Sequence, residues 1–435
     1  MLNILKIAVR NLARFSRRTL LTSSLITLGI VGVLLFVAVS GSFKTIMIGQ
    51  FTDAMLGHLE VHRKGYVASI DSLPLNLNMR ATMIGKVEQV LGKMDAVEAY
   101  SERIKLGAMF SNFIETTSMR LNGVDPAKEI ATTPLLPGRL IGEKRVGALL
   151  KSGDVLIPEL IARGMKVKAG DTVVLVATNR DGSVNGKTFT VGGVLQSVSG
   201  PSGKDGYITI DDARSLLRMK EAEVSEIAIR LKHPAQLDAV YTQLSKDLAA
   251  IAGGAGGGTG AGGGDKQPPA GKGGGSGGLE VHTWADLSPF SSIVRMIDLL
   301  AVFIKVMMVS IVLISVMNVM VMAVYERIRE IGTISAIGTP PRRILALFIT
   351  EGLLLGLGGA ALGTAISLAV IYVLNIWKIS IHFGMQQDAI LLSPAVTATD
   401  IVTIVAMVVI MALLASLQPA WKASRMDPVT ALGHV

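Results

Sequence analysis

Residues 352–377 read GLLLGLGGAALGTAISLAVIYVLNIW, twenty-six residues without a charge. A helix crossing the hydrocarbon of a bilayer needs about 20 mainly apolar residues, so this stretch is read as a membrane span. Three more windows share the property: 19–43, 306–325 and 401–421, of 25, 20 and 21 residues. None alternates as a barrel strand would. Half of the 435 residues are hydrophobic and 17% are charged, against about 25% in soluble domains, and mean hydropathy is +0.52. The expected fold is therefore an α-helical membrane protein with four transmembrane helices and a mixed α/β extracytoplasmic domain between the first and second. The first window follows Arg17 and Arg18, but it is too long for the 7–15-residue apolar core of a signal peptide. We read it as an uncleaved anchor.

The net charge of +9 raises the question of nucleic acid. Its distribution answers it. Residues 1–18 carry +5, the segment 326–343 carries +2 and the tail 422–435 carries +1, so +8 of the +9 falls in three short segments on one side of the spans. Basic residues flanking spans mark the cytoplasmic side. Both termini and 326–343 are thus expected in the cytoplasm, with 44–296 and the loop 378–400 outside; no nucleic-acid partner is expected. Lys6, Arg10 and Arg14 recur every four residues opposite Leu5, Val9 and Leu12, the pattern of a helix lying on membrane lipid. Residues 1–18 are read as that helix. The divisions that follow are spans at 19–43, 299–325, 344–377 and 401–421.

The outer segment alternates strands and helices. Alternating or β-branched runs at 58–62, 154–158, 171–176, 187–191, 207–210 and 226–231 read as strands, Asp211-Asp212 as a helix N-terminus, and 234–250 as a helix. His58, Glu60 and His62 would share a strand face, an arrangement that can bind zinc; no third histidine or cysteine is nearby, so the reading is set aside. In 253–278, fifteen of 26 residues are glycine, which reads as a flexible loop. It is not a phosphate loop, because Gly271-Lys272 is followed by Gly273. With no such motif and no catalytic constellation, the chain is read as a non-enzyme without a cofactor or metal of its own.

Between the second and third windows lies Glu326-Arg327-Ile328-Arg329-Glu330-Ile331-Gly332, followed by Ala336, Gly338, Pro340-Pro341 and Arg342-Arg343. Isoleucines at 328, 331, 334 and 337 make an apolar stripe, and Gly338 suits a helix end. The residues leave two readings open: a helix resting on headgroups, or one that docks a cytoplasmic partner. Glu351, at the start of an apolar run, should find a partner or water. Gly352 with Gly356, and Gly359 with Gly363, should allow close helix packing.

This run resembles the signature of FtsX-like ABC-transporter permeases, of the macrolide-exporter and lipoprotein-releasing types. Glu351-Gly352, the tail from Gln418-Pro419-Ala420-Trp421-Lys422 to Asp427-Pro428 and Ala431-Leu432, and the opening Ala8-Val9-Arg10-Asn11-Leu12 are similar to the family as well. The resemblance implies a permease subunit. A cytoplasmic ABC ATPase, binding ATP and Mg, would dock on Glu326, Arg327, Arg329, Glu330, Ile331, Gly332, Ala336, Gly338, Arg342 and Arg343. Its motion would pass along the second span to the outer domain. A second permease copy or paralogue is implied, and a periplasmic adaptor or lipoprotein carrier is a possible further partner. The product would be extrusion or release of a lipoprotein, peptide or drug at the outer side of a bacterial inner membrane. The alternative is a non-transporting subunit that regulates a periplasmic cell-wall hydrolase.

Overall fold

The computed structural model describes residues 2–14, 16–142, 149–197, 201–253, 278–288, 291–377, 380–381, 390–427 and 431. Most of the glycine-rich segment, much of the loop 378–400 and parts of the tail lie outside them. The chain divides into two units. One holds residues 1–46, 293–381 and 389–435; the other holds 47–292 with 382–388.

The first unit is helical. An N-terminal helix, Leu2–Arg14, precedes the first span, Ser16–Phe51; the second, third and fourth spans are Ser291–Glu326, Pro341–Trp377 and Ala398–Ser424. All four are long and apolar enough to cross a membrane. The 36-residue first and second helices run about 54 Å at 1.5 Å per residue. That exceeds a hydrocarbon core of about 30 Å, so the helices outrun the charge-free windows. The fourth begins with a reciprocal cap: Asp400 N–H donates to Thr397 Oγ1 (3.1 Å), and Thr397 Oγ1 donates to Asp400 Oδ2 (2.6 Å). A buried cluster joins the four spans through Ile26, Ile30, Val312, Val316, Phe348, Leu355, Val408 and Ala412.

The second unit is built on a nine-stranded mixed sheet. In chain order its strands are β1 (Leu59–Arg63), β2 (Val97–Ser111), β3 (Thr116–Val124), β4 (Asp154–Pro158), β5 (Thr172–Thr178), β6 (Val184–Leu195), β7 (Asp205–Thr209), β8 (Glu226–Leu231) and β9 (Leu279–Thr283). Their spatial order is β3-β7-β4-β6-β5-β2-β8-β1-β9. The entry strand β1 and the exit strand β9 pair antiparallel, Leu59 opposite Thr283. One face carries Leu59, Val61, Ile104, Leu106, Ile227 and Ile229 into the main core, where Val87 of the helix Ala81–Leu91 and Leu244 of the helix Leu237–Gly253 meet them. Two details differ from the sequence reading. The longest strand, β2, its hairpin partner β3 and the exit strand β9 were not expected. The helix after β7 is capped by Thr209 rather than by the aspartates; Asp212 instead accepts from Gly153 N–H (2.8 Å) and Lys187 Nζ (2.7 Å).

Candidate functional site

The segment joining the second and third spans is a separate short helix. The second span stops at Glu326 because Arg327 leaves helical geometry (φ −115°, ψ 19°), and a new helix runs Ile328–Ala336. It is shorter than the expected 326–343. Its end is a Schellman motif: Gly338 N–H donates to Ser335 C=O (3.0 Å) and Thr339 N–H to Ile334 C=O (3.3 Å). Gly338 takes φ +93°, which a side chain would resist. The third span then starts at Pro341, where a missing N–H costs nothing.

The isoleucine stripe is split. Ile328 and Ile331 are 8% and 4% exposed, Ile334 and Ile337 are 39% and 80% exposed. Ile331 packs into the buried cluster of the spans. Three residues expected on a docking surface are therefore elsewhere: Arg327, Ile331 and Gly332 are buried inside the chain's own helices. The physical reason is that the helix must bury its apolar side against the spans it joins. Glu326, Arg329, Ala336, Gly338, Arg342 and Arg343 are exposed, and Glu330 is half-buried.

Arg327 is the centre of an ionic cluster. Its Nε donates to Glu330 Oε2 (2.9 Å) and its Nη1 to Glu351 Oε1 (3.0 Å). Asn11 Nδ2 of the N-terminal helix donates to the same Glu351 oxygen (2.8 Å), and Arg14 Nη1 lies 3.6 Å from Glu330 Oε1. The guanidinium also stands 5.9 Å from the Phe348 ring centre. Glu351 thus has its partners, as an ionisable group beside an apolar run requires. The sequence gives Asn11 and Arg14 no role in this cluster; Arg14 stood out by the helix periodicity of 1–18 and Asn11 by the family-like opening 8–12.

The two glycine pairs serve different neighbours. A Cβ on Gly352 would lie 2.6 Å from Ser416 Cβ, and one on Gly356 2.8 Å from Ala412 Cβ, both on the fourth span. A Cβ on Gly359 would meet Ile26 Cγ2 at 2.6 Å, and one on Gly363 would meet Ile30 Cβ at 2.9 Å, both on the first. The third span is thus held against two helices by backbone approach.

The polar face of the outer sheet is also buried. Arg103 on β2 stands opposite Glu226 on β8, which stands opposite His62 on β1. Arg103 Nη2 donates to Glu129 Oε1 (2.7 Å) and its Nη1 to Glu226 Oε1 (3.2 Å). Lys105 Nζ lies 2.8 Å from Glu226 Oε2. His62 Nε2 sits 3.3 Å from both Glu60 and Glu226. Burial alone would lower the His62 pKa, yet hydrogen bonds to the two glutamates hold it above the usual histidine value. Glu226 stays well below the usual carboxylate range: burial pushes it up, but Lys105, His62 and Arg103 outweigh that. Glu60, His62 and Glu226 offer atoms within 4.8 Å of one another, a span a metal ion bridges. Arg103 and Lys105 also reach these carboxylates, with Arg103 Nη1 3.7 Å from Glu60 Oε1, so the three ligand atoms already belong to a buried charge network. His58 is not part of the set; its Nδ1 accepts from Leu231 N–H (3.1 Å).

Four apolar helices, an α/β domain inserted between the first two, and a short helix between the second and third outline a multi-pass membrane protein. Residues 302–428 match the FtsX-like permease C-terminal family and residues 19–247 the MacB-like periplasmic core domain. The second match alone takes 229 of 435 residues, and the chain belongs to this family of FtsX-like ABC permeases. Among relatives, it is similar to the macrolide export ATP-binding/permease protein MacB of Syntrophobacter fumaroxidans, 32% identical over 121 residues, 28% of this chain and 15% of that protein. It is also similar to the pyoverdine export ATP-binding/permease protein PvdT of Pseudomonas putida, 39% identical over 119 residues, 27% of this chain and 16% of that one. The chain aligns with about one sixth of the length of these curated relatives. A solved structure, the periplasmic region of MacB from Actinobacillus actinomycetemcomitans, is 12% identical with a TM-score of 0.34, covering 55% of this chain and 92% of that one.

Proposed function

We propose that this chain is the permease subunit of an ABC transporter, with both termini in the cytoplasm, driven by a cytoplasmic ATPase that binds ATP and Mg. The ATPase docks on the short helix Ile328–Ala336 and the turn after it; two permease chains, identical or paralogous, form the membrane half. The observation that carries the reading is a short helix closed by a Schellman turn, whose outward side offers Arg329, Ile334, Ile337, Arg342 and Arg343 around a protruding apolar tip. A helix that merely rested on lipid would turn its apolar stripe outward as a whole; here half of it anchors the helix to its own spans. The substrate is extruded or released at the outer side of a bacterial inner membrane; the names of the MacB and PvdT relatives carry export, of macrolide and of pyoverdine. A periplasmic adaptor or a lipoprotein carrier would receive the substrate.

The docking assignment is tested on the tagged full chain co-expressed with its ABC ATPase. Ile337→Asp places a charge where an apolar contact would desolvate it, and Arg329→Glu reverses a rim charge. Burying an unpaired charge is unfavourable and reversing a rim charge slows association, so either variant should retain less ATPase at matched expression and lower ATP turnover. Unchanged retention and turnover in both would remove the assignment.

A further inference from the structure

We propose that Arg327 and Glu351 form the mechanical link through which movement of the short helix reaches the third span, rather than the second. The inference rests on the docking reading above and adds the route of transmission and the residues that set it.

The covalent path to the second span is interrupted. Arg327 sits at the break between that span and the short helix, with φ −115° and ψ 19°. A break of this kind absorbs rotation at a few dihedrals. The opposite connection is stiffened twice. The Schellman turn fixes the short helix to the start of the third span, and the Arg327 guanidinium grips Glu330 on one side and Glu351 on the other. Its planar fork can satisfy two carboxylates at once, which a lysine cannot do with the same geometry. Glu351 lies ten residues beyond Pro341, about 15 Å along the helix, so the grip acts well inside the third span and not at its end. Both charged groups are buried, and breaking such a pair leaves an uncompensated charge in an apolar setting. The link therefore holds while the helix moves. Asn11 joins the N-terminal helix to the same carboxylate. Beyond it, the third span presses its backbone against the fourth span at Gly352 and Gly356 and against the first at Gly359 and Gly363. A shift of this one helix is passed to two others. Arg327 and Glu351 touch neither ATP nor substrate; they are positioning residues.

The test uses the full chain in lipid nanodiscs with its co-expressed ABC ATPase. The chain has no cysteine, so spin labels can be placed at Val9→Cys with Thr333→Cys, and separately at Leu299→Cys with Tyr372→Cys. These backgrounds carry Arg327→Gln, Glu351→Gln, or both. The expected result is ATPase retention like that of the unsubstituted chain, a broadened Val9–Thr333 distance distribution, and loss of the ATP-dependent shift between Leu299 and Tyr372. The double variant should be no worse than either single one, as two groups acting through one contact are non-additive. A purely structural role predicts instead losses of assembly with the ATP-dependent shift retained in whatever complex survives. Single variants that keep a narrow distribution and a normal shift overturn the link while leaving docking intact. Failure of the unsubstituted chain to retain ATPase overturns docking, and the Val9–Thr333 distribution measured without ATPase then still decides whether the pair holds the helix.

Discussion

His62 is held between Glu60 and Glu226 and stacks on the Tyr66 ring at 5.2 Å, with His282 edge-on at 5.5 Å. Burial works against its charge, and the two carboxylates win, so its folded pKa lies above the ordinary 6.5. A group raised in this way adds stability that is full below its unfolded pKa and fades as pH rises through the folded value. Thermal unfolding of the outer domain in the full chain should therefore shift to lower temperature as pH climbs above about 6.5. His62→Gln should flatten that slope and lower the melting temperature most at the acid end; an identical slope in the variant would count against the charge assignment. The residue was legible in the sequence as one of an alternating pair with Glu60. Its decisive partner was not, because Glu226 is 164 residues away and only strand pairing brings the two together. Glu351 shows the same division: an acid at the edge of an apolar run announces a need for a partner but not that Arg327 and Asn11 supply it.

At the level of elements, the four apolar helices were legible because a charge-free run of 20 or more has few alternative fates; the bounds of the third and fourth fell within three residues, while the first ends at Phe51 and the second begins at Ser291, well beyond the expected 43 and 299. The strands β2 and β3 were not legible. β2 does alternate, with Ile104 and Leu106 in the main core and Arg103 and Lys105 on the opposite face; what the sequence hides is that this second face is buried too, its charges met by residues distant in the chain. Sequence also showed that the third span has closely spaced glycines without showing which of them matter. The structure separates adjacent ones. A Cβ on Gly358 meets nothing within 4 Å, while one on Gly359 would lie 2.6 Å from Ile26. Forcing extra volume into a packed contact costs about 1–3 kcal/mol. Gly359→Leu should thus lower the melting temperature of the detergent-solubilised chain and weaken cross-linking between the first and third spans. Gly358→Leu should do neither, and equal effects at the two positions would refute the assignment of the contact.

For the whole molecule, the sign and placement of charge predict the sidedness. The chain's lack of cysteine makes this direct to check. Thr242→Cys in the outer domain should react with a membrane-impermeant maleimide on intact spheroplasts, and Thr333→Cys on the short helix only after the membrane is opened. The reverse pattern would invert the topology and with it the placement of the ATPase. The pairing of β1 with β9 has a consequence of another kind. Strands paired in this way run about 4.7–4.9 Å apart, so the outer domain begins and ends at neighbouring points, Leu59 beside Thr283. It can be lifted out as a cassette with two adjacent cut sites. Any foreign domain whose own termini lie side by side would fit the same gap without lengthening either helix, so recombination could exchange the external module of such a permease while inheriting its engine unchanged.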